Sequence, residues 1–258
     1  ATPLLIGGAV AMIEDITERY LVDAVRTDFV ANISHELKTP VGALAVLAEA
    51  LSQEDDLDII HRLSEKMVDE AIRVGRTIDD LLELSRIEFG GEAVKDEVDA
   101  GEIVSESISR VSPLASTHAI KVAMIELATP LKVVGDRRQL VSAIGNLVEN
   151  AVKYSEVGSA VEVSAQANGD SVEFTVKDFG LGIPSRDLDR VFERFYRVDR
   201  ARSRDTGGTG LGLAIVRHVA NNHGGDVSVT SIEGEGSTFS LKIPKFVSQN
   251  PATMRESS

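Results

Sequence analysis

The sequence predicts an α + α/β protein. One antiparallel helical hairpin per chain pairs with a second copy as a dimeric four-helix bundle, and an α/β sandwich follows. Two patterns carry this expectation. Up to Ile87 apolar residues recur at steps of three and four, and beyond Ala100 helix-period stretches are interleaved with short alternating ones. A third observation is that 43% of the 258 residues are apolar, enough core for one large domain or two ordinary ones.

In the first predicted helix, over residues 17–51, Phe29, Ile33, Leu37, Val41, Leu44, Leu47 and Leu51 draw one stripe. The polar run 52–56 breaks the pattern. Ile60, Leu63, Met67, Ala71, Val74, Ile78 and Leu81 then repeat it to about Ile87, as the second arm of a hairpin. A lone hairpin covers its stripe from one side only, so a homodimer is expected. Phe89-Gly90-Gly91 ends the second arm, and the charged run 92–99 marks a domain boundary. The division is therefore 17–91 and 92–247, with residues 1–16 belonging to something upstream and 248–258 a disordered tail.

The second domain opens with a helix at 100–118, strands at 121–126 and 132–134, and a helix at 136–154. Strands at 161–167 and 172–177 alternate around Asn168-Gly169-Asp170, the pattern of a β-hairpin. Residues 179–209, with four Gly and one Pro, are long for a connection and read as a mobile functional loop. A helix at 211–222 stops at Gly224-Gly225, and strands follow at 226–231 and 238–243.

Composition excludes several functions. With 27 Lys+Arg against 41 Asp+Glu, the net charge of −14 argues against nucleic acid as a partner. Without Cys there is no disulfide, thiol nucleophile or Cys-ligated metal, and without Trp the core is aliphatic. The longest apolar stretch, 4–13, contains two glycines and is too short to span a bilayer. The first residue is not Met and no charged leader precedes the stretch, so the chain is expected to begin within a longer protein, whose upstream part could carry a membrane anchor.

Chemistry-bearing residues fall at both ends. Phe29-Val30-Ala31-Asn32-Ile33-Ser34-His35-Glu36-Leu37-Lys38-Thr39-Pro40 sets His35 between stripe residues, on the flank of the bundle. A lone helical His is more often an ordinary surface or core residue. Here Pro40 withholds the N–H that would bond the Glu36 carbonyl, at a typical cost of about 3 kcal/mol, so the helix is expected to weaken beside His35, either as a plain kink or as a hinge. Neutral imidazole can attack phosphorus if its other N–H is held, and Glu36 is the nearest acceptor. Thr39, four residues on, could orient a water for the reverse hydrolysis.

In the second domain, Asp178-Phe179-Gly180-Leu181-Gly182 closes a strand and Gly207-Gly208-Thr209-Gly210-Leu211-Gly212-Leu213 leads into a helix. The latter is either a flexible turn or a phosphate cradle at a helix N-terminus. The Asp178 carboxylate can accept from the amino group of adenine and would oppose the guanine carbonyl, favouring ATP over GTP. Asn146, Asn150, Lys153 and Tyr154 share one helix face. Amide oxygens suit Mg²⁺, a Lys suits phosphate and Tyr can flank a base, although paired Asn residues on a helix are usually just solvated.

Taken together these segments resemble the cytoplasmic core of two-component sensor histidine kinases. Residues 34–40 look like the family's H box, 146–154 its N box, 178–182 the first glycine box, Phe192-Glu193-Arg194-Phe195-Tyr196-Arg197 its F box and 208–213 the second glycine box. Gly234-Glu235-Gly236-Ser237-Thr238-Phe239 resembles a further one. The match runs in order from 17 to 245. The resemblance implies a dimerisation and histidine-phosphotransfer hairpin followed by a Bergerat-type ATP-binding domain. It makes His35 the phospho-acceptor, Glu36 a base and Thr39 the phosphatase residue. Asn150, helped by Asn146, would hold Mg²⁺, and Lys153 and Arg197 would neutralise the triphosphate. Phe192 and Phe195 would anchor the loop as an ATP lid, and a response-regulator Asp would receive the phosphoryl group. Residues 12–18 resemble the exit of a PAS sensor domain. The rivals are a Bergerat-type ATPase without phosphotransfer, a serine kinase of the anti-sigma class, and a scaffold that binds ATP without chemistry. His61, His118, His218 and His223 read as surface or packing residues.

Overall fold

The structure, a computed structural model, describes residues 17–89, 96–125, 131–198 and 208–246, of which the side chains of 17–32, 35, 36 and 89 lie outside the description. The expected PAS-like exit before Thr17, the tail and the lid residues 199–207 also fall outside it. The chain forms two compact units, Ala1–Val74 and Gly75–Ser258.

The first unit contains helix α1 (Thr17–Ser52) and the first half of helix α2 (Leu57–Phe89). α1 runs uninterrupted through Pro40, which is buried. The helix continues on both sides of the missing N–H, so Pro40 does not end α1. The connecting turn is held by its own side chains. Ser52 Oγ donates to the Glu49 carbonyl at 2.7 Å. Asp56 Oδ1 then caps α2 by accepting from the N–H groups of Asp58 at 2.9 Å and Ile59 at 3.3 Å. The stripe residues Leu44, Leu47, Leu51, Ile60, Leu63 and Met67 are half-buried, while Val41, Val46, Val68 and Ile72 are exposed.

In the second unit, β1 (Asp96–Asp99) pairs antiparallel with β3 (Lys132–Gly135), and helix α3 (Ala100–Thr117) leaves β1 directly, capped by Asp99. β1 is absent from the sequence expectation for a physical reason. Asp-Glu-Val-Asp buries only Val98, so pairing with β3 rather than any alternation creates the strand. A five-stranded sheet has the order β2-β4-β5-β7-β6, with β2 Lys121–Met124, β4 Ala160–Asn168, β5 Ser171–Asp178, β6 Asp226–Ile232 and β7 Gly236–Pro244. The β2–β4 pair is parallel and the others are antiparallel.

Every second residue of the central strands is buried: Val161, Val163 and Ala165 on β4, Val172, Phe174 and Val176 on β5, and Phe239, Leu241 and Ile243 on β7. Against this unit's core lie the apolar faces of α3, α4 (Arg137–Tyr154) and α5 (Gly212–Asn222), with Leu140, Ile144, Leu147, Ile215 and Val219 fully buried. Asp136 caps α4, accepting at Oδ1 from the N–H groups of Arg138 and Gln139 at 2.8 and 3.2 Å. His223 fastens α5 to that cap: its Nε2 accepts from the Asp136 N–H at 2.9 Å, which leaves Nδ1 to donate to the Val219 carbonyl at 2.8 Å and fixes a neutral tautomer. This sets the end of α5 against the start of α4, with the two helices in contact along their length.

Candidate functional site

A cavity of about 730 Å³ opens in the second unit. Its floor comes from α4. Asn146, Asn150, Lys153 and Tyr154 stand at i, i+4, i+7 and i+8 and all line it, joined by Glu149. The Asn146 amide donates to the Ser142 carbonyl at 3.1 Å, which turns its Oδ1 toward the first residue of α5. A Cβ on Gly212 would lie 2.8 Å from that oxygen. Lys153 Nζ pairs with Glu149 at 2.6 Å, a partner of the candidate phosphate cation that the sequence reading did not single out.

Asp178, at the end of β5, closes one wall. Its Oδ1 accepts two backbone N–H groups, from Gly180 at 3.0 Å and Ser237 at 3.2 Å, so Oδ2 remains available to a ligand. Burial pushes the Asp178 carboxyl above the usual carboxylate range, against the pull of those two hydrogen bonds. The chain leaves Asp178 through Gly182, whose φ of +65° and the Ile232 carbonyl, 2.1 Å from where a Cβ would stand, admit only glycine.

The middle of the long loop is tied to the glycine turn that follows it. The Phe195 N–H donates to the Gly210 carbonyl at 2.8 Å, and Gly210 has φ +74° with the Phe195 backbone 2.9 Å from a Cβ position. Phe192 is buried edge-on against Phe239, with centroids 6.2 Å apart. Tyr196 donates to Asp187 at 2.7 Å. Arg197, Gly208, Thr209, Gly210, Gly212 and Leu213 all reach the cavity. Gly180, Leu211 and Thr238 do not line it: Leu211 is core, Gly180 orients Asp178, and Thr238 sits on β7 paired with Lys177.

The far wall is the second half of α2, which the sequence reading did not assign to this site. Arg76, Asp79 and Asp80 line the cavity. Thr209 Oγ1 donates to Asp80 Oδ2 at 2.6 Å and accepts from the Leu211 N–H at 3.2 Å. Burial is the main cause that raises Asp80 from 3.8 to about 6; Glu149 and Glu83 add to it, while Thr209 and Lys153 oppose it. Further along, Glu88 binds Arg194 and lies 2.9 Å from His218 Nε2, and Asn222 donates to the Ile87 carbonyl at 2.9 Å. His218 is thus part of an ionic cluster rather than a plain surface residue. Burial lowers its pKa, against the neighbouring Glu88. Asp80 and Glu88 share a face of α2 with the buried Thr77, Leu84 and Ile87, at steps of three and four, and that spacing is the signal that could have found them.

Of the H-box residues, His35 and Glu36 stand on α1 with side chains outside the description, and Thr39 is exposed on the same helix. Among the described residues no helix is long and apolar enough to cross a membrane.

Residues 25–90 match the His Kinase A (phospho-acceptor) domain family, and residues 135–246 match the histidine kinase-, DNA gyrase B- and HSP90-like ATPase family. The chain is 51% identical over 241 residues to the sensor-like histidine kinase SenX3 of Mycolicibacterium smegmatis, covering 92% of this chain and 62% of that protein. It therefore spans less than two thirds of the relative's length. Full-length ShkA in complex with AMPPNP aligns with a TM-score of 0.61 at 26% identity, over 87% of this chain and 47% of that one. The histidine kinase ThkA in complex with the response regulator protein TrrA aligns with a TM-score of 0.68 over 91% of this chain and 69% of that one; at 21% identity this shows the shared fold.

Proposed function

From the chain's membership of the two-component sensor histidine kinases, whose phospho-acceptor and ATPase-like domains it carries in order, we propose that it phosphorylates His35 from ATP and passes the phosphoryl group to an Asp of a response regulator. What carries this reading is the convergence on one cavity of Asn146, Asn150, Lys153, Asp178 and the turn residues Gly208, Thr209, Gly210, Gly212 and Leu213, in a chain that also matches the phospho-acceptor domain.

Each group has a task the chemistry requires. Asp178 Oδ2 accepts from the adenine amino group, Tyr154 flanks the base, and Lys153 with Arg197 meets the phosphates as cations. Asn146 and Asn150 offer amide oxygens, the hard ligands that suit Mg²⁺. Among the described residues no cluster of three acidic or imidazole side chains could hold a metal. Asn146 and Asn150 would hold the ion, which when bound supplies neutralisation of phosphate charge. The unprotonated ring nitrogen of His35 attacks the γ-phosphorus, the bond to the bridging oxygen breaks, ADP leaves with the electron pair, and Glu36 takes the remaining ring proton. Phosphoryl transfer depends mainly on positioning, so control of when the His meets the nucleotide controls the rate.

Thr39 is the proposed residue for hydrolysis of the phosphorylated regulator. The exposed Val41, Val46, Val68 and Ile72 support a homodimer through the helical hairpin, which would cover them. The proposed domains are residues 17–91 and 92–247, in the cytoplasmic part of a membrane-anchored protein.

The test is incubation with Mg²⁺ and γ-labelled ATP. Label that is lost in acid, kept in alkali and absent from His35→Ala is expected. Undiminished labelling of His35→Ala would overturn the proposal.

A further inference from the structure

The hydroxyl of Thr209 has one proton to give, and it gives it to Asp80. Its oxygen accepts the Leu211 N–H, which stands at the entrance to α5. Both are donors that the glycine-rich turn would offer to a phosphate, and phosphate oxygens at neutral pH only accept. A phosphate served by this turn must therefore displace Asp80 from the hydroxyl. Asp80 is also a carboxylate on the wall of the same cavity, with Glu149 and Lys153 within its electrostatic reach. Glu149 already claims part of the Lys153 charge. A ligand gaining negative charge meets growing repulsion here, whereas an uncharged nucleoside meets none.

We propose that Asp80 sets the affinity of the cavity according to phosphate number: its carboxylate holds the Thr209 hydroxyl that a polyphosphate needs, so the α2 segment and the nucleotide phosphates compete for one donor. The inference rests on the reading of the cavity as an ATP site. Because Asp80 stands on a helix that the turn 52–56 joins to the one bearing His35, nucleotide binding would break one tie between that helix and the glycine-rich turn by the same step that fills the site.

The test measures the affinity of the whole chain for AMPPNP, ADP and adenosine, with Mg²⁺ throughout, in wild type, Asp80→Ala and Asp80→Asn. Asp80→Ala is expected to tighten AMPPNP about fivefold or more, ADP by less, and adenosine not at all. Asp80→Asn keeps an acceptor but loses the charge, and should give a smaller gain in the same order. With Thr209→Val as background, the gain from Asp80→Ala should shrink to that of Asp80→Asn, which isolates the hydroxyl. A residue that merely shaped the cavity would shift all three ligands together. Equal shifts, or AMPPNP binding that is unchanged or weakened, would overturn the proposal while leaving the ATP reading intact. If Asp80→Ala does not fold, the AMPPNP-to-adenosine ratio in Asp80→Asn decides. If neither wild type nor variant holds AMPPNP, the ATP reading falls and takes the inference with it.

Discussion

Residues 57–74 and 75–89 of α2 share one helical period, yet their side chains meet different surroundings. In the first stretch Leu57, Val68 and Ile72 are exposed. Two of its ion pairs are local, His61 with Glu65 at 3.3 Å and Arg73 with Glu70 at 3.8 Å, and pairs of this kind are worth little. In the second stretch Leu84 and Ile87 are buried, and the polar side chains reach across the sequence: Asp80 to Thr209, Glu88 to Arg194 and His218. An apolar stripe states which face of a helix must be covered and leaves open what covers it. Around Leu84 and Ile87 the second stretch finds its cover within the chain, while Ile78 and Leu82 stay exposed like Val68 and Ile72 of the first, which presents a face for another surface.

Substitutions of matched chemistry sharpen that contrast. Leu84→Ala should cost about 2–5 kcal/mol of unfolding free energy in urea, because a fully buried side chain leaves a cavity. Ile72→Ala, a comparable deletion from an exposed site, should leave the unfolding of dilute protein nearly unchanged and instead weaken self-association, read by sedimentation. Equal losses at the two positions would break the comparison. Glu88→Gln comes next, at about 1–3 kcal/mol, because Arg194 and His218 then face each other at 3.1 Å without the carboxylate between them. The lost stability should return in part when Arg194→Gln is added, since the stranded charge is then gone.

The sequence made the strands and helices around the cavity legible wherever local signals coincide with tertiary need. The Asn168-Gly169-Asp170 turn predicts the β4–β5 hairpin, and the Asn146–Lys153 face and the glycine turns meet at the cavity. Two features were hidden. β1 exists through its pairing with β3 and has no period of its own. Asp80 and Glu88 belong to no motif of the sequence, and only the fold of residues more than a hundred positions away turns them into partners of Thr209 and Arg194.

The smallest expected effect concerns Asp80 and pH. Burial, with Glu149 and Glu83 nearby, holds its carboxyl at about 6 in the folded chain against 3.8 as an ordinary Asp. The folded state therefore binds this proton more tightly than the unfolded one. The resulting stabilisation is complete below about pH 4 and is lost as pH rises through about 6, so charged Asp80 is a burden at pH 7. His218 acts in the opposite sense across the same range: its lowered pKa favours the folded state above its ordinary value of 6.5 and withdraws that support on acidification. A titration of wild type alone mixes the two. The informative quantity is the difference between wild type and Asp80→Asn, in which every other group cancels. Asn is neutral throughout, so the variant should be the more stable by roughly 1 kcal/mol at pH 7, with the gap closing towards pH 5. A gap that stays constant from pH 5 to 7.5 would mean that Asp80 keeps an ordinary acidity, and that the second half of α2 is held in place by Leu84, Ile87 and the Glu88 cluster with no contribution from the ionisation of its cavity-facing carboxylate.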